Sequence, residues 1–193
     1  MNKFIIILSA IFLISCNTTK YKNPHVLINT PYGEVEVELF PEQAPKTVAA
    51  FLLYVDSGYY KNSSFYRVIT NENVPSEYNS GLIQGGIYKT NSSLLSKIPG
   101  IEHESTKQTG LLHTNGTISL ARRQPGTAST EFFICIGDQP QFDCNEYTTG
   151  DGLGYAAFGK VLKGMDIVSR IQNTPSHNEK LKREIKIINI ERL

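Results

Sequence analysis

Four stretches of this chain carry residue types that could do chemistry together. Phe65-Tyr66-Arg67-Val68-Ile69 supplies an arginine, and Leu82-Ile83-Gln84-Gly85-Gly86 supplies a glutamine. Gly116-Thr117-Ile118-Ser119-Leu120-Ala121 and Thr130-Glu131-Phe132-Phe133-Ile134 supply an apolar wall. A guanidinium is always charged and presents its N–H groups in a rigid fork. A primary amide both donates and accepts. Beside an apolar wall, the two suit a polypeptide backbone whose charge shifts without proton transfer or a covalent intermediate.

Chemistries that need other constellations fit poorly. His103-Glu104 and His113 lack the HExxH spacing of a zinc protease; they read as surface or turn histidines. Ser119 and Ser129 sit in no nucleophile elbow, and no Asp–His set accompanies them in sequence. Gly150-Asp151-Gly152-Leu153-Gly154 is not followed by Lys-Ser/Thr, so it reads as a loop, not a phosphate cradle. Lys plus Arg total 19 and Asp plus Glu 18, a balance that gives no sign of nucleic-acid affinity. Lys180, Lys182 and Arg183 read as a solvated turn. Cys135 reads as a buried core thiol and Cys144 as a loop residue, with a bridge between them as the second reading.

The elements that position these residues follow from periodicity. Val26-Leu27-Ile28 starts a strand, Pro31-Tyr32-Gly33 marks a turn, and Val35, Val37 and Leu39 alternate with Glu34, Glu36 and Glu38. This period of two predicts a hairpin whose second strand has one wet face. Pro45 opens a helix with Val48, Phe51, Leu52 and Val55 on one stripe and Gly58 as terminator. Further strands are expected over residues 64–68, 82–84, 117–121, 132–136 and 156–162, and a second helix over 164–171. Ile185, Ile187, Ile188 and Ile190 close the chain as a strand whose pattern slips after Ile187, which hints at a bulge. Residues 70–80 and 139–154 read as recognition loops. Eight or so strands, two helices and no βαβ rhythm indicate a mainly β protein, a closed antiparallel barrel capped by helices.

These phrases, with Phe158-Gly159-Lys160-Val161, resemble the cyclophilin family of peptidyl-prolyl cis-trans isomerases over residues 25–191. The resemblance implies a closed eight-stranded antiparallel barrel with two capping helices. It implies an enzyme that speeds rotation about X-Pro bonds and assists folding, with Arg67, Gln84 and Phe133 as catalytic residues. Tyr66, Leu82, Ala121, Arg122, Phe142 and Tyr155 become substrate-binding, with Leu82 at a position commonly held by methionine. Three departures bear on substrate preference. Gly81 stands where many members have a pocket phenylalanine, Arg122 where many have asparagine, and Glu131 where glutamine is common. No metal, nucleotide or redox cofactor is implied. The expected partners are proline-containing polypeptides, met by a monomer. A non-catalytic module holding proline segments in the same groove is the second reading, and a scaffold-only envelope lipoprotein the third.

The start of the chain adds a location. Lys3 precedes an apolar run over residues 4–14, too short for the roughly 20 residues of a spanning helix. It fits an export signal. Leu13-Ile14-Ser15-Cys16 resembles the lipobox of bacterial lipoproteins. That resemblance implies loss of residues 1–15, a lipid on Cys16, a tether over 16–24 and an isomerase domain over 25–193. The protein would then face the periplasm or exterior from a membrane of the cell envelope.

Overall fold

The computed structural model describes residues 21–70, 81–145 and 150–193. The expected signal segment, Cys16 and nearly all of the loop over 70–80 lie outside them. In chain order the elements are β1 (His25–Thr30), β2 (Gly33–Leu39), α1 (Pro45–Asp56), β3 (Ser63–Ile69), β4 (Gly81–Gly86), α2 (Ser92–Leu95) and α3 (Thr106–Thr109). There follow β5 (Thr117–Leu120), β6 (Phe132–Ile136), β7 (Ala156–Lys163), α4 (Met165–Gln172), β8 (Ser176–His177), β9 (Lys180–Ile187) and β10 (Asn189–Arg192). The strands form one antiparallel sheet in the order β10-β1-β2-β7-β5-β6-β4-β3-β9-β8.

The sheet closes through its last stave. β9 pairs with β3 and β10 pairs with β1, and only Ile188 separates them. The Ile188 N–H donates to the Asn29 carbonyl at 2.8 Å, and its own carbonyl accepts from the Asn62 N–H at 3.3 Å. One residue thus joins both flanks while its side chain turns outward, 45% exposed between buried Ile187 and Ile190. This is the slip in the isoleucine pattern. Taken as one kinked stave, β9 and β10 complete eight; the two-residue β8 is an added arm too short to carry a periodic signal. Among the described residues, two α-helices beyond the expected pair, α2 and α3, are single turns, and Pro140–Phe142 adds a 3-10 turn.

Alternation places Val26, Ile28, Val35, Val37, Phe65, Ile83, Ile118, Phe132, Ile134 and Phe158 in the barrel interior. α1 closes one mouth with the predicted stripe, and Phe51 meets the Phe132 ring edge-on at 5.9 Å and the Phe158 ring at a tilt at 5.0 Å. Burying such side chains contributes on the order of 1.5–3 kcal/mol each. α4 lays Val168 and Ile171 against the sheet.

Two expectations need correction. Glu36 is not on a wet face: it is 7% exposed, because His25 Nδ1 lies 2.9 Å and Lys163 Nζ 2.7 Å from its two carboxylate oxygens and cover it. Lys180, Lys182 and Arg183 form no turn. They belong to β9, where buried Leu181 and Ile185 face inward and the basic side chains face solvent.

Candidate active site

The barrel also carries a small apolar cluster on its outer surface. Leu82, Phe133 and Cys135 form its buried part, with Ile69, Ala121, Phe142 and Tyr155 packed around them. Residues i and i+2 of a strand share a face. Leu82 and Gln84 therefore point out where Ile83 points in, and Phe133 and Cys135 point out where Phe132 and Ile134 point in. Pairing aligns Arg67, Gln84, Phe133 and Ser119 in one row across β3, β4, β6 and β5.

Arg67 reaches that row through a β-bulge. Phe65 pairs with Gly85 and Arg67 with Gln84, so Tyr66 is the extra residue on β3. The register against β9 also breaks between Phe65 and Arg67, which pair with Ile185 and Lys180. Strict alternation from buried Phe65 would aim Arg67 into the core. The bulge puts Tyr66 and Arg67 on the outer side and returns Val68 to the interior, fully buried.

The row borders a cleft of about 130 Å³ lined by Arg67, Ile69, Leu82, Gln84, Ala121, Arg122, Phe133, Phe142 and Tyr155. Every residue expected at the site is here except Tyr66. Its side chain is 9% exposed and stands beside the cleft wall, bonded to Gln84 and Glu131. Ile69 was not anticipated, although its place two residues after Arg67 puts it on the same face. Phe133 forms the floor, 3% exposed. Phe142 and Tyr155 meet its ring edge-on at 5.5 and 5.4 Å, and His113 stacks at 5.8 Å.

The Arg67 guanidinium is held on both sides. Nη1 donates to Gln84 Oε1 at 2.8 Å; Nε and Nη2 donate to Glu179 Oε2 at 2.8 and 2.6 Å. Arginine has five N–H donors, so the fork keeps N–H groups for an acceptor in the cleft. Glu179 occupies the turn between β8 and β9 at φ 64°, next to Asn178 at φ 47°. Its partner is 112 residues away, and nothing local in the sequence announces it.

A hydrogen-bonded chain continues past Gln84. Gln84 Nε2 donates to Tyr66 Oη at 2.8 Å, and the Tyr66 hydroxyl donates to Glu131 Oε2 at 2.7 Å. Glu131 Oε1 accepts from the Tyr88 N–H at 3.0 Å and the Thr130 hydroxyl at 3.2 Å. Burial pushes the Glu131 carboxyl above the usual carboxylate range in spite of these donors. Burial, and next the nearby Glu131 charge, push the Tyr66 phenol up as well.

The remaining departures also acquire roles. Arg122 forms two hydrogen bonds to the Asp151 carboxylate, at 2.6 and 2.8 Å, donates Nε to the Gly154 carbonyl at 2.9 Å and lies over the Tyr155 ring at 5.4 Å. Its hydrogen bonds hold the Asp151 carboxyl well below the usual range. Its side chain thus ties down the loop before β7. Gly81 leaves no gap: a Cβ there would meet Gln172 Nε2 at 2.0 Å and the Ile69 carbonyl oxygen at 2.2 Å. Gln172 fills that space by donating to the same carbonyl at 2.8 Å.

The structure also corrects the reading of His113. It is 1% exposed beneath Phe133, with Nδ1 2.7 Å from Asp143 Oδ1 and Nε2 2.9 Å from Ser119 Oγ. An Asp–His–Ser set therefore exists in space although it is absent from the sequence pattern. It cannot attack a substrate carbonyl, because Ser119 is fully buried. It supports the cleft floor. Cys135 and Cys144 are both free thiols, so the bridge is not formed; burial pushes the Cys135 thiol up.

Comparison with known proteins agrees with this geometry. The model of the cyclophilin type peptidyl-prolyl cis-trans isomerase family matches residues 25–192. A peptidyl-prolyl cis-trans isomerase of Acinetobacter baylyi is 34% identical over 175 residues, 88% of this chain and 85% of the relative. Peptidyl-prolyl cis-trans isomerase B of Escherichia coli is 33% identical over 155 residues, 76% of this chain and 83% of the relative. A cyclophilin type isomerase of Cryptosporidium parvum, solved in the presence of the dipeptide Ala-Pro, superposes with a TM-score of 0.67 at 29% identity, covering 86% of this chain and 97% of that one. The chain belongs to the cyclophilin-type peptidyl-prolyl isomerases, and its activity is peptidyl-prolyl cis-trans isomerisation.

Proposed function

We propose that this isomerase acts on exported polypeptides at the cell envelope, held to a membrane by a lipid on Cys16, and that Arg67 is its catalytic donor. The observation that carries the site assignment is a guanidinium fixed by Gln84 and Glu179 at the rim of an apolar cleft floored by Phe133.

The barrier to be lowered is about 20 kcal/mol, set by amide resonance. As the X-Pro bond twists, resonance is lost and the proline nitrogen regains its lone pair. A charged donor beside that nitrogen binds the twisted state more tightly than either planar state, which is what accelerates rotation. Phe133, with Leu82, Ala121, Phe142 and Tyr155 around it, takes the proline ring out of water. Gln84 holds Arg67 and offers its amide to the substrate backbone, and the Arg122 main chain extends the same edge.

NMR exchange on a short X-Pro peptide tests the chemistry, using the full chain beside Arg67→Ala. Exchange is expected to accelerate and to fall at least about tenfold in the variant, equal to roughly 1.4 kcal/mol of transition-state stabilisation. Equal exchange with both proteins would remove Arg67 from the mechanism. Peptide binding without acceleration would select the binding module. Incorporation of labelled fatty acid, lost in Cys16→Ser, tests the anchor. A chain recovered from the soluble fraction with residues 1–15 intact would refute it.

A further inference from the structure

The hydrogen-bonded chain behind Arg67 has a fixed direction, held by a donor-only guanidinium at one end and an acceptor-only carboxylate at the other. The Glu131 carboxylate can only accept. Its Oε1 already takes the Tyr88 N–H and the Thr130 hydroxyl, and Oε2 takes the Tyr66 hydroxyl proton. A phenol has one proton. With that proton committed to Glu131, the Tyr66 oxygen can only accept, and what it accepts is an N–H of the Gln84 amide. The amide must therefore turn its nitrogen towards Tyr66 and its oxygen towards Arg67. The opposite orientation would set NH2 against the guanidinium, donor against donor.

We propose that Glu131 and Tyr66 are positioning residues for Arg67: through the phenol, the carboxylate sets the orientation of the Gln84 amide and so supplies the acceptor that holds the guanidinium at the cleft. The catalytic consequence rests on the reading of Arg67 given above; the positioning itself does not. Neither residue touches the cleft. Tyr66 is held in place for this role by the bulge, which places it next to Arg67 on the outer side of β3. Glu131 sits in its own pocket, with a Cβ at Gly86 meeting its carboxylate oxygen at 2.4 Å.

The relay is proton-sensitive. Among the described residues, the titratable groups around Glu131 are Tyr66 from β3, Tyr60 from the turn after α1 and Tyr88 beyond β4, with Arg67 on the far side of Tyr66. Burial pushes the Tyr60 and Tyr66 phenols up, so both keep their protons across the carboxylate's titration. Glu131 is then the group in this set that changes charge on mild acidification. Once protonated it can donate, the Tyr66 proton is released from its commitment, and the Gln84 amide keeps its orientation through Arg67 alone.

The test follows the side-chain NMR signals of the Gln84 amide and the Arg67 Nε–H in the full chain, from neutral to mildly acid pH. In the unsubstituted protein both signals should move with the titration of the Glu131 carboxyl. In Tyr66→Phe, which keeps the ring and removes the hydroxyl, and in Glu131→Gln, which cannot titrate, the movement should vanish. In peptide assays, kcat should fall along the same acid limb. Tyr66→Phe should show kcat lowered roughly three- to tenfold with little change in KM and no acid limb, as fits one lost hydrogen bond. Signals that ignore the Glu131 titration, or that move equally in Tyr66→Phe, would overturn the relay. Coupled signals in a protein that does not accelerate exchange would uphold the relay and overturn only the catalytic assignment of Arg67.

Discussion

Glu179 shows at the residue scale what a functional side chain does at an unfavourable backbone position. A non-glycine residue in the left-handed region costs roughly 1–2 kcal/mol, and Glu179 sits there at φ 64°. Its ion pair with Arg67 joins side chains 38% and 31% exposed, and such pairs contribute only about 0–1 kcal/mol. Stability alone would favour glycine. Glu179→Gly is therefore expected to leave the melting temperature unchanged or raised while lowering kcat/KM roughly two- to tenfold, because Arg67 loses one of its two holders. A variant with unchanged kcat/KM would mean that the pair is incidental. The sequence made Arg67, Gln84 and Phe133 legible because each belongs to a short phrase that resembles the family's; alternation fixes the face of Gln84 and Phe133 but not that of Arg67. Glu179 and Glu131 were not legible, since their partners lie 112 and 65 residues away. The Tyr66 bulge was hidden for the same reason: pairing with β4 and β9 decides it, not the composition of β3.

Among the elements, α1 was read correctly in extent and face, because an apolar stripe with Pro at one end and Gly at the other is local information. What starts the helix is not local. Ala44 at the N-cap has no side chain to offer; Glu104, from the segment before α3, accepts the Lys46 N–H at 3.1 Å and the Thr47 N–H at 2.8 Å. α3 in turn fixes Glu104 through its own capping box, with Gln108 Oε1 accepting the Ser105 N–H at 2.8 Å. Removing a capping acceptor costs about 0.5–2 kcal/mol. Glu104→Ala should fall in the upper half of that range by urea unfolding, as Glu104 is itself buried and so is Thr47, one of the two residues whose amides it caps. A loss below the range would mean that water replaces the carboxylate. The loop before β7 depends in a similar way on Arg122, which ties it to Asp151 and Gly154. Arg122→Ala should raise KM a few-fold, roughly the effect of one charge-assisted hydrogen bond, and leave kcat nearly unchanged, because the loop carries the cleft wall and not the donor. A fall in kcat at constant KM would contradict that division.

Across the whole molecule, two carboxylates pull stability in opposite directions as pH falls. Glu36 lies where β1, β2 and β7 meet, and the hydrogen bonds from Lys163 and then His25 hold its carboxyl below the ordinary range. A depressed carboxyl stabilises the fold above its unfolded pKa, and that contribution is lost as pH falls through the folded value. Glu131 has the reverse sign. Burial raises its carboxyl, so the folded protein binds that proton more tightly than the unfolded chain. Its charged form weakens the fold at neutral pH, and the penalty is relieved as pH falls through the raised value. The two windows are ordered: Glu131 titrates first, above the usual carboxylate range, and Glu36 later, below it. A single curve sums every titrating group, so differences between proteins isolate each carboxylate. The melting temperature of Glu131→Gln minus that of the unsubstituted protein should decrease as pH drops from neutral through the Glu131 titration. That of Glu36→Gln should be negative at neutral pH and shrink only in stronger acid. The same proton that relieves Glu131 loosens the holder of Arg67, so stability and isomerase activity should diverge on mild acidification. A melting-temperature difference for Glu131→Gln that is flat across its titration would mean that the buried carboxylate is fully compensated by its donors, and that the cost of keeping it charged behind the cleft is absent.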